Sequence, residues 1–542
     1  MIRLYNLLLE TTEESALDYL SRIIKDGPYA GKVFLAGGAV RDEILNVPIK
    51  DIDIVVTLPN GGIEFAEWIT KKIGAYRKGS NPIIYPTFGT AKFNFRGINY
   101  HGIDLSNIDI EAVMTRGEKY ERGSRKPEVV YADLNMDAQR RDLTVNALYK
   151  NLTTGEILDP TGRGIDDIKN GIIRTPLDPD TTFEDDPLRM LRAVRFAVKY
   201  DWKMSKTLVE SMKRNADKLK NISTERIQDE LNKILMTDRP DQGMKLLSYT
   251  GLNKYIIPEL DDTRGVGQNE YHKDDVFSHT LEVLKNTGKN LTARLAALFH
   301  DIGKPDTKTT GDDGRIHFYD HETRGAEMAK TIMHRLRYSN EATDSVSRIV
   351  GLHMKLKQSG VDGSDASDKT LRKFMAAVGD DLEPAVLLMQ ADNISHSHKA
   401  SMPDQIPRLY DRMKQLGSQQ PDGSKVKLPI NGNDIIKALD LKPGPIIKAL
   451  LKKVEDAWFE NPSMSADDAM DIVNKTHEKL VSIGVGAKKP ESPVTDKDNI
   501  SSDILNQRVR NPETGQDILV RSALDYDDDH PAKIAALKLV KR

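Results

Sequence analysis

The stretch FLAGGAVRDEILNVPIKDIDIVV, from Phe34 to Val56, contains a glycine pair, an arginine and two alternating aspartates between apolar runs that are typical of β-strands. Residues two positions apart in a strand project from the same face, so Asp51 and Asp53 should present two carboxylates side by side. Two like charges so placed need a cation, and oxygen ligands suit Mg²⁺, which commonly binds triphosphate oxygens as well. The stretch therefore predicts a magnesium site that accepts a triphosphate.

Residues around the two aspartates extend this prediction. Gly37 and Gly38 would let backbone N–H groups approach a phosphate, and Arg41 would add a bidentate contact. The next strand candidate, NIDIEAVMTR, places Asp109 and Glu111 on one face, and we predict Asp109 as the third carboxylate of the site. The alternative is an ordinary turn followed by solvated carboxylates on an edge strand.

Composition sets limits on the class of protein. The chain has 542 residues, which at roughly 100–200 residues per domain suggests three or four domains. Its formal net charge is -3, so any nucleic-acid surface would be a local patch. Cysteine is absent, which excludes a disulfide-linked partner, thiolate ligands and a cysteine nucleophile. The N-terminal stretch is acidic and amphipathic, unlike a signal peptide, and no apolar run approaches 18 residues, so we expect a cytoplasmic protein with no membrane partner.

Changes in pattern along the chain predict an α+β protein. Strand-like runs and helical segments alternate first, helical periodicity follows, and the stretch GAKKPESPVTDKDNISSD is typical of a linker. The predicted segments are an α/β head at 1–150, a helical neck at 151–264, a histidine-rich helical domain at 265–400, a helical body at 401–485, the linker at 486–503 and a small module of unknown role at 504–542.

Two later motifs carry further polar groups. In RRDLTVNAL, Arg141 is suited to a triphosphate, while Asp142 and Asn146 are suited to ribose hydroxyls. In DDPLRMLRAVRFA, we expect Asp186 and Arg189 on one helical face, where a carboxylate beside a guanidinium can hydrogen-bond the pairing edge of a base.

Arg192 lies about one turn further along and is suited to phosphates. An exposed helix with ordinary arginine–aspartate pairs is the alternative for this segment.

The motifs LAGGAVRD, KDIDIVV, RRDLTVNAL and DDPLRMLRAVRFA, followed by ISTERIQDELNKIL, resemble the bacterial-type tRNA nucleotidyltransferase and poly(A) polymerase family. This is class II of the polymerase-beta-like nucleotidyltransferase superfamily, and the resemblance covers about residues 30–235. It implies a small mixed-sheet head and template-independent addition of CCA to the tRNA 3′ end from CTP and ATP, with pyrophosphate released. In this family, residues corresponding to Asp186 and Arg189 select the incoming base.

Two features of the sequence qualify the resemblance. The family pattern is usually EDxxR, whereas this chain has Asp185 at the first position and Glu184 one place early, so nucleotide preference is the least determined part of the resemblance. Poly(A) polymerase is the alternative within the family. That branch usually has a basic stretch after the first metal motif, and YPTFGTAKFNF stands there instead, which favours CCA addition.

A second constellation lies in the histidine-rich segment, whose H…HD…H…H…D pattern resembles the HD-domain metal phosphohydrolases. The resemblance implies a second divalent metal such as Ni²⁺ or Mn²⁺, which would activate water on a phosphate ester. A catalytically silent scaffold is one alternative, and an HD phosphohydrolase with a nucleotide- or RNA-binding head is another. The predicted ligands are His279, His300, Asp301, His321, His353 and Asp392.

The stretch LPINGNDIIKALDLKPGPIIKALLKKVEDAWFE, at 428–460, resembles the C-terminal region of the same family. Pro443, Gly444 and Pro445 should interrupt the chain before a new helix, whose N-terminal amides could receive an RNA phosphate. We therefore expect the segment 401–485 to bind tRNA, although this feature alone is no more than a helix start.

Overall fold

The computed structural model contains two compact units, residues 1–425 and residues 426–542. The structure describes residues 11–74, 81–119, 128–268, 275–312, 314–356, 366–396, 404–418, 427–482, 508–510 and 517–519. In this part of the chain, no helix is both long enough and apolar enough to cross a bilayer.

The head contains a seven-stranded mixed sheet, which confirms the mixed-sheet head that the family resemblance implies. Its strands, in their order across the sheet, are β11 Ile157–Leu158, β10 Tyr149–Asn151, β1 Val33–Ala36, β2 Ile52–Val56, β7 Asp109–Met114, β4 Thr90–Asn94 and β3 Ile83–Tyr85. The pairing of β2 with β7 is parallel, whereas β1 with β2 and β4 with β7 are antiparallel.

Short two-stranded pairs complete the described β-structure of the first unit. They are β5 Asn99–Tyr100 with β6 Ile103–Asp104, β8 Arg116–Lys119 with β9 Glu128–Tyr131, β12 Ile172–Ile173 with β13 Lys203–Met204, and β14 Lys308–Thr310 with β15 Ile316–Phe318.

Helices cover the head sheet and form most of the rest of the first unit, which confirms the predicted α+β class. Buried apolar residues run continuously from the head sheet into the helical region, for example Ile54, Leu191 and Leu298. The helices of the head and neck are α1 Thr12–Lys25, α2 Gly38–Ile44, α3 Gly61–Lys72, α4 Leu134–Gln139, α5 Gly164–Asn170, α6 Pro179–Asp185, α7 Leu188–Tyr200, α8 Lys206–Asn215, α9 Thr224–Leu235, α10 Pro240–Tyr249 and α11 Pro258–Asp261.

The histidine-rich segment is a helical bundle, as predicted. Its helices, with the one that follows it, are α12 Val276–Asn286, α13 Leu291–Phe299, α14 Lys304–Thr307, α15 His321–Arg335, α16 Asn340–Leu352, α17 Asp368–Val378, α18 Leu382–Ile394 and α19 Gln405–Ser418.

The second unit contains three described helices, α20 Gly432–Leu439, α21 Pro445–Trp458 and α22 Ala466–Ser482, and the antiparallel pair β16 Arg508–Arg510 and β17 Asp517–Leu519. Helix α21 begins at Pro445, as the Pro-Gly-Pro run predicts. The predicted linker at 486–503 lies outside the described residues, and the domain boundaries drawn from the sequence stay predictions.

Candidate functional site

Strand pairing brings the head carboxylates together. Asp53 lies on β2 directly opposite Glu111 on the parallel strand β7, and Asp51 immediately precedes β2. Asp109 precedes Ile110, the partner of Ile52, so it lies level with Asp51. Side chains of all four acidic residues are exposed. Carboxylate oxygens suit a divalent cation, although within the described residues no three of these four groups place one oxygen each within 4.8 Å of one another.

The charges around Asp53 support the same interpretation. Although the Asp53 side chain reaches solvent, the protein atoms packed around its carboxyl reduce its hydration and raise its pKa. The negative charge of Glu111 raises the pKa further, while Arg141 lowers it. Asp109, in contrast, forms an ion pair with Lys92, whose Nζ lies 2.8 Å from a carboxylate oxygen of Asp109. Glu111, which the sequence places on the same face, is therefore a stronger neighbour of Asp53 than Asp109 is.

The glycine pair follows β1 and leads into α2. Gly37 has a φ of +68°, which favours glycine, and a Cβ atom there would lie 2.8 Å from Nη1 of Arg141. The turn thus permits the close approach of a guanidinium group that also acts electrostatically on Asp53. Gly37, Arg141 and the β2 carboxylates consequently belong to one site.

Arg41 is held between the head and a neck helix rather than presented to solvent. Only 3% of Arg41 is exposed. Its guanidinium donates hydrogen bonds to Asp42, at 2.7 and 2.9 Å, and to the side-chain oxygen of Asn146. The rings of Phe196 and Tyr200, on α7, lie 5.0 and 4.9 Å from its guanidinium carbon. Sequence reasoning missed these two aromatic partners.

Arg141 is oriented by a buried carboxylate that the sequence analysis also missed. Nε of Arg141 donates to Asp137 at 3.2 Å and to the Tyr149 hydroxyl at 3.0 Å. Tyr149 in turn donates to Asp137 at 2.6 Å. Asp137 is on α4, four residues before Arg141, so the spacing of the two residues was a signal of their contact.

A charge effect follows from this network. Burial by itself raises the pKa of Asp137, but the guanidinium groups of Arg141 and Arg140 outweigh it and lower the pKa from 3.8 to about 2. Because the folded-state pKa is below the unfolded value, the stabilisation is present above pH 4, amounts to about 2 kcal/mol, and is lost as the pH falls towards 2.

We therefore expect Asp137→Asn to lower the melting temperature at pH 7 and to lower it by less at pH 3. Thermal unfolding followed by circular dichroism at the two pH values tests this. An equal loss at both would contradict a role for the ionised carboxylate, and the exposed Asp133→Asn, on the preceding turn, controls for general effects of an amide at this end of the head.

The predicted ribose and phosphate groups also lie in one network. Asn146 donates from Nδ2 to Asp142 at 3.1 Å, and Arg192 donates from Nε to the other oxygen of Asp142 at 2.7 Å. Buried Glu230, on α9, accepts a hydrogen bond from Arg195 at 2.7 Å and lies 3.9 Å from Arg192. Glu230 belongs to the ISTERIQDELNKIL stretch, which the sequence analysis used only as a family signal.

Asp186 and Arg189 do not share a helical face, which corrects that expectation. Helix α6 ends at Asp185 and α7 begins at Leu188, so Asp186 lies in an extended break before Pro187. A proline disfavours helical backbone at the residue before it, which explains why the helix is interrupted at Asp186. The Asp186 side chain accepts from Arg226 at 2.8 Å.

Arg189 is 3.9 Å from Asp185 and donates to the carbonyl of Thr182 at 3.3 Å. Asp185, the first acidic position of the pattern, is therefore an ion-pair neighbour of Arg189 at a distance longer than a hydrogen bond.

All six predicted ligands of the second constellation converge inside the helical bundle, where each is buried. Nε2 of His279 lies 3.1 Å from Asp392 and 3.8 Å from Asp301. Nε2 of His300 lies 3.1 Å from Asp301, and Nε2 of His321 lies 3.5 Å from its other oxygen. Groups of these residues place one possible ligand atom each within 4.8 Å of one another.

The hydrogen bonds of the histidines leave ligand atoms available. Nδ1 of His300, His321 and His353 donates to the carbonyl three residues earlier, at 2.8, 2.8 and 2.7 Å. Such a bond fixes the tautomer so that Nε2 carries the lone pair. Burial lowers the pKa of His353 to about 3, so this ring is neutral at pH 7, as a metal ligand must be.

Two partners were missed in this second site. Lys304 donates to Asp301 at 2.7 Å, and its position three residues after Asp301 was a signal of that contact. His396, one turn after Asp392, lies 3.6 Å from the Asp392 carboxylate.

Comparisons with known proteins match the head, the neck and the helical bundle. Three family models cover parts of the chain: the poly A polymerase head domain at 33–174, a probable RNA and SrmB-binding site of polymerase A at 201–263, and the HD domain at 276–396. The tRNA nucleotidyltransferase cca1 of Schizosaccharomyces pombe is 26% identical over 86% of this chain and 96% of its own length. The multifunctional CCA protein of Actinobacillus pleuropneumoniae serotype 5b is 30% identical over 59% of this chain and 75% of its own length.

A solved structure has the same fold. The crystal structure of the Bacillus stearothermophilus CCA-adding enzyme in complex with CTP matches with a TM-score of 0.62 at 20% identity, and the match covers 88% of this chain and 100% of that one.

Proposed function

We propose that the head of this chain, which belongs to the CCA tRNA nucleotidyltransferase family, adds or repairs the 3′-terminal CCA of tRNA from CTP and ATP. In each addition the 3′ hydroxyl of the tRNA forms a bond to the α-phosphorus, and the bond from that phosphorus to the pyrophosphate oxygen breaks. The hydroxyl proton leaves to solvent, and pyrophosphate is released.

One observation carries the proposal: the carboxylates of Asp53 and Glu111 lie on neighbouring parallel strands, and Arg141 acts electrostatically on Asp53. Acidic oxygens beside the half-buried guanidinium of Arg141 suit a metal–triphosphate complex, because the metal and the phosphates have opposite charges. We propose Asp51 and Asp53 as Mg²⁺ ligands, with Asp109 or Glu111 as the third carboxylate. Mg²⁺ bound there would stabilise charge on the attacking and leaving oxygens.

The chain's own groups then hold the nucleotide. We propose that Arg141 and the backbone at Gly37 and Gly38 contact the triphosphate, because the turn and the guanidinium meet there. Arg41 is buried under two aromatic rings and hydrogen-bonded to Asp42 and Asn146, so we propose that it supports the phosphate-binding turn and connects the head to the neck.

Ribose recognition is proposed for the neighbouring network. Asp142 and Asn146 offer short polar groups suited to the sugar hydroxyls, and Arg192, bonded to Asp142, offers its remaining donors to a phosphate.

Base selection is proposed for Asp186 and Arg189. Arg189→Ala should slow incorporation of CTP and ATP by about 10- to 100-fold, because hydrogen bonds to a charged donor are lost, and it should admit UTP or GTP. Single-nucleotide incorporation with each of the four triphosphates measures both effects. Arg22→Ala, an exposed arginine on α1, is the matched control. Equal slowing of CTP and ATP without incorporation of UTP or GTP would instead make Arg189 a phosphate contact.

The experiment that tests the overall function offers three tRNA substrates, ending at the discriminator base, at C or at CC, with labelled CTP and ATP separately and together. CCA addition predicts that products stop at a complete CCA. Continued incorporation of ATP alone would support poly(A) synthesis, which the names of the relatives do not favour. We propose that the protein acts in the cytoplasm. We also propose that residues 401–485 bind tRNA.

A second activity is proposed for the helical bundle. The buried His/Asp cluster, with lone pairs of Nε2 directed by backbone hydrogen bonds, suits a divalent transition metal such as Ni²⁺ or Mn²⁺. A metal held there would activate water for hydrolysis of a phosphate ester. Phosphatase and cyclic phosphodiesterase assays with each metal test this second function.

A further inference from the structure

Helix α9 contacts several groups of the proposed nucleotide site. Arg226, near its N-terminus, donates to the Asp186 carboxylate at 2.8 Å. One turn further along, Glu230 accepts from Arg195 at 2.7 Å and lies 3.9 Å from Arg192. Because Glu230 is only 2% exposed, movement of α9 would leave a buried charge without its partners. The position of α9 therefore sets the position of these side chains.

The C-terminal end of α9 is held by an arginine of the helical bundle. Arg294, on α13, donates from Nη1 to the main-chain carbonyl of Leu235, the last residue of α9, and to that of Thr237 at 2.7 Å. Its Nε donates to the carbonyls of Thr287 and Gly288 at 3.2 and 3.1 Å. All four acceptors are main-chain oxygens, and Arg294 is 3% exposed.

This arrangement is a helix cap supplied from a distant part of the chain. The last four carbonyls of a helix have no partner within the helix, and their partial negative charge favours a cation. Arg294 brings both a donor and a positive charge to Leu235, although it lies 59 positions later in the sequence. Since its Nε is bonded to the chain just before α13, the guanidinium fixes the end of α9 relative to the bundle.

A second bundle residue contacts the same helix. Tyr338, which follows α15, donates from its hydroxyl to the side-chain oxygen of Asn232. Asn232 lies between Glu230 and Leu235 in the sequence, so the bundle holds the C-terminal half of α9 at two places.

We infer that Arg294 is a positioning residue for nucleotide addition. It caps α9 from the helical bundle, and α9 in turn holds Asp186 and Arg192 in place for the incoming nucleotide. The inference rests on the proposed CCA addition, and it adds that a residue outside the head and the neck supports the nucleotide site. The bundle thereby takes part in nucleotide addition through a contact that does not involve its histidine cluster.

The experiment compares the kinetics of nucleotide use with those of tRNA use. Arg294→Met removes the charge and the donors and keeps an unbranched side chain. We expect it to raise the KM for CTP and ATP about 10-fold with little change in kcat, because α9 contacts groups proposed to bind the nucleotide throughout the reaction. The KM for tRNA should stay the same. Arg294→Lys, which keeps the charge and can still donate to a carbonyl, should recover part of the loss.

Arg335→Ala is the matched control. Arg335 also joins the bundle to the neck, but it donates to Glu259, on α11, at 2.5 and 2.8 Å, and to the carbonyl of Ile256 at 3.3 Å. It should leave the KM for both nucleotides and for tRNA unchanged. An equal rise in the nucleotide KM would mean that any loosening of the bundle from the neck has this effect, which would overturn the assignment to Arg294.

Hydrogen–deuterium exchange measured by mass spectrometry gives a readout that does not depend on activity. Peptides from α9 should exchange faster in Arg294→Met and at the parent rate in Arg335→Ala. Tyr338→Phe removes a single hydroxyl and should cause the same changes to a smaller extent, so it tests the inference even if Arg294→Met does not fold. Unchanged exchange of α9, or faster exchange with an unchanged nucleotide KM, would overturn the inference.

Failure of the proposed function is distinguishable from failure of this inference. A parent protein without CCA addition would refute the proposed function. Calorimetric titration with CTP would then still test Arg294, because the Kd of Arg294→Met should rise by the same factor as the KM. Normal CCA addition with an unchanged KM for CTP in Arg294→Met would refute the inference alone.

Discussion

Asp53→Ala is expected to reduce nucleotide addition by roughly 1000-fold or more without destabilising the protein. Loss of a metal ligand removes several kcal/mol of charge stabilisation at the transition state, and each 1.36 kcal/mol is about tenfold in rate. Asp53 is exposed and lies beside Glu111, so its removal relieves repulsion and should change the free energy of unfolding by no more than about 0.5 kcal/mol. Incorporation of labelled CTP into tRNA, with thermal unfolding in parallel, measures both effects.

A second variant controls for the loss of any exposed carboxylate from the head. Glu67→Ala removes an exposed carboxylate from α3 of the same head and should leave the rate unchanged. Near-normal addition by Asp53→Ala would overturn the two-carboxylate site.

The third carboxylate is settled by two further variants. If Glu111 is the ligand, Glu111→Ala should lose far more activity than Asp109→Ala, because Asp109 is paired with Lys92. The opposite order would uphold the assignment made from the sequence.

His300→Ala is expected to reduce the rate of phosphate-ester hydrolysis by about 100-fold or more, while the rate of CCA addition stays unchanged. His300 is buried against Asp301, so its loss removes one donor from the proposed metal site. The nucleotide motifs lie on the head sheet and α7, whereas His300 ends α13 in the helical bundle, so the two reactions use different residues. Both activities are assayed on the same preparation with Mg²⁺, Mn²⁺, Ni²⁺ and Co²⁺.

Three outcomes distinguish the alternatives. His334→Ala, the exposed control, should retain both activities. Loss of both activities in a folded His300→Ala protein would refute independent sites. Robust CCA addition by the parent protein, with no hydrolysis under any of these metals, would leave the bundle as a scaffold.

Local chemistry could be predicted from the sequence because it depends on short-range geometry. Alternation along a strand was enough to place Asp51 and Asp53 near each other, and the glycine turn required only its neighbours. Periodicity predicted strands with helices in the head and helices in the histidine-rich segment, the family resemblance implied that the head sheet is mixed, and the structure confirms both. The histidine pattern likewise identified six residues that meet in one buried cluster.

Relations between distant segments could not be predicted in this way. The parallel register of β2 and β7 sets Glu111 rather than Asp109 opposite Asp53, and a shift of register would exchange such partners. Burial of Arg41 depends on Phe196 and Tyr200, which lie more than 150 residues away in the sequence. The Tyr200 hydroxyl also donates a hydrogen bond to Asp42, 158 positions earlier in the chain.

The family, the α+β class and the positions of the charged and potential metal-binding side chains could therefore be predicted from the amino-acid sequence. Which of those groups meet depends on how the helices and strands pack. Asp301 lies among the histidines because helices α12, α13, α15 and α16 pack around it. The physical reason is that side-chain type and local spacing are properties of a few consecutive residues, whereas a distance of a few ångströms between segments is set by the packing of the whole core.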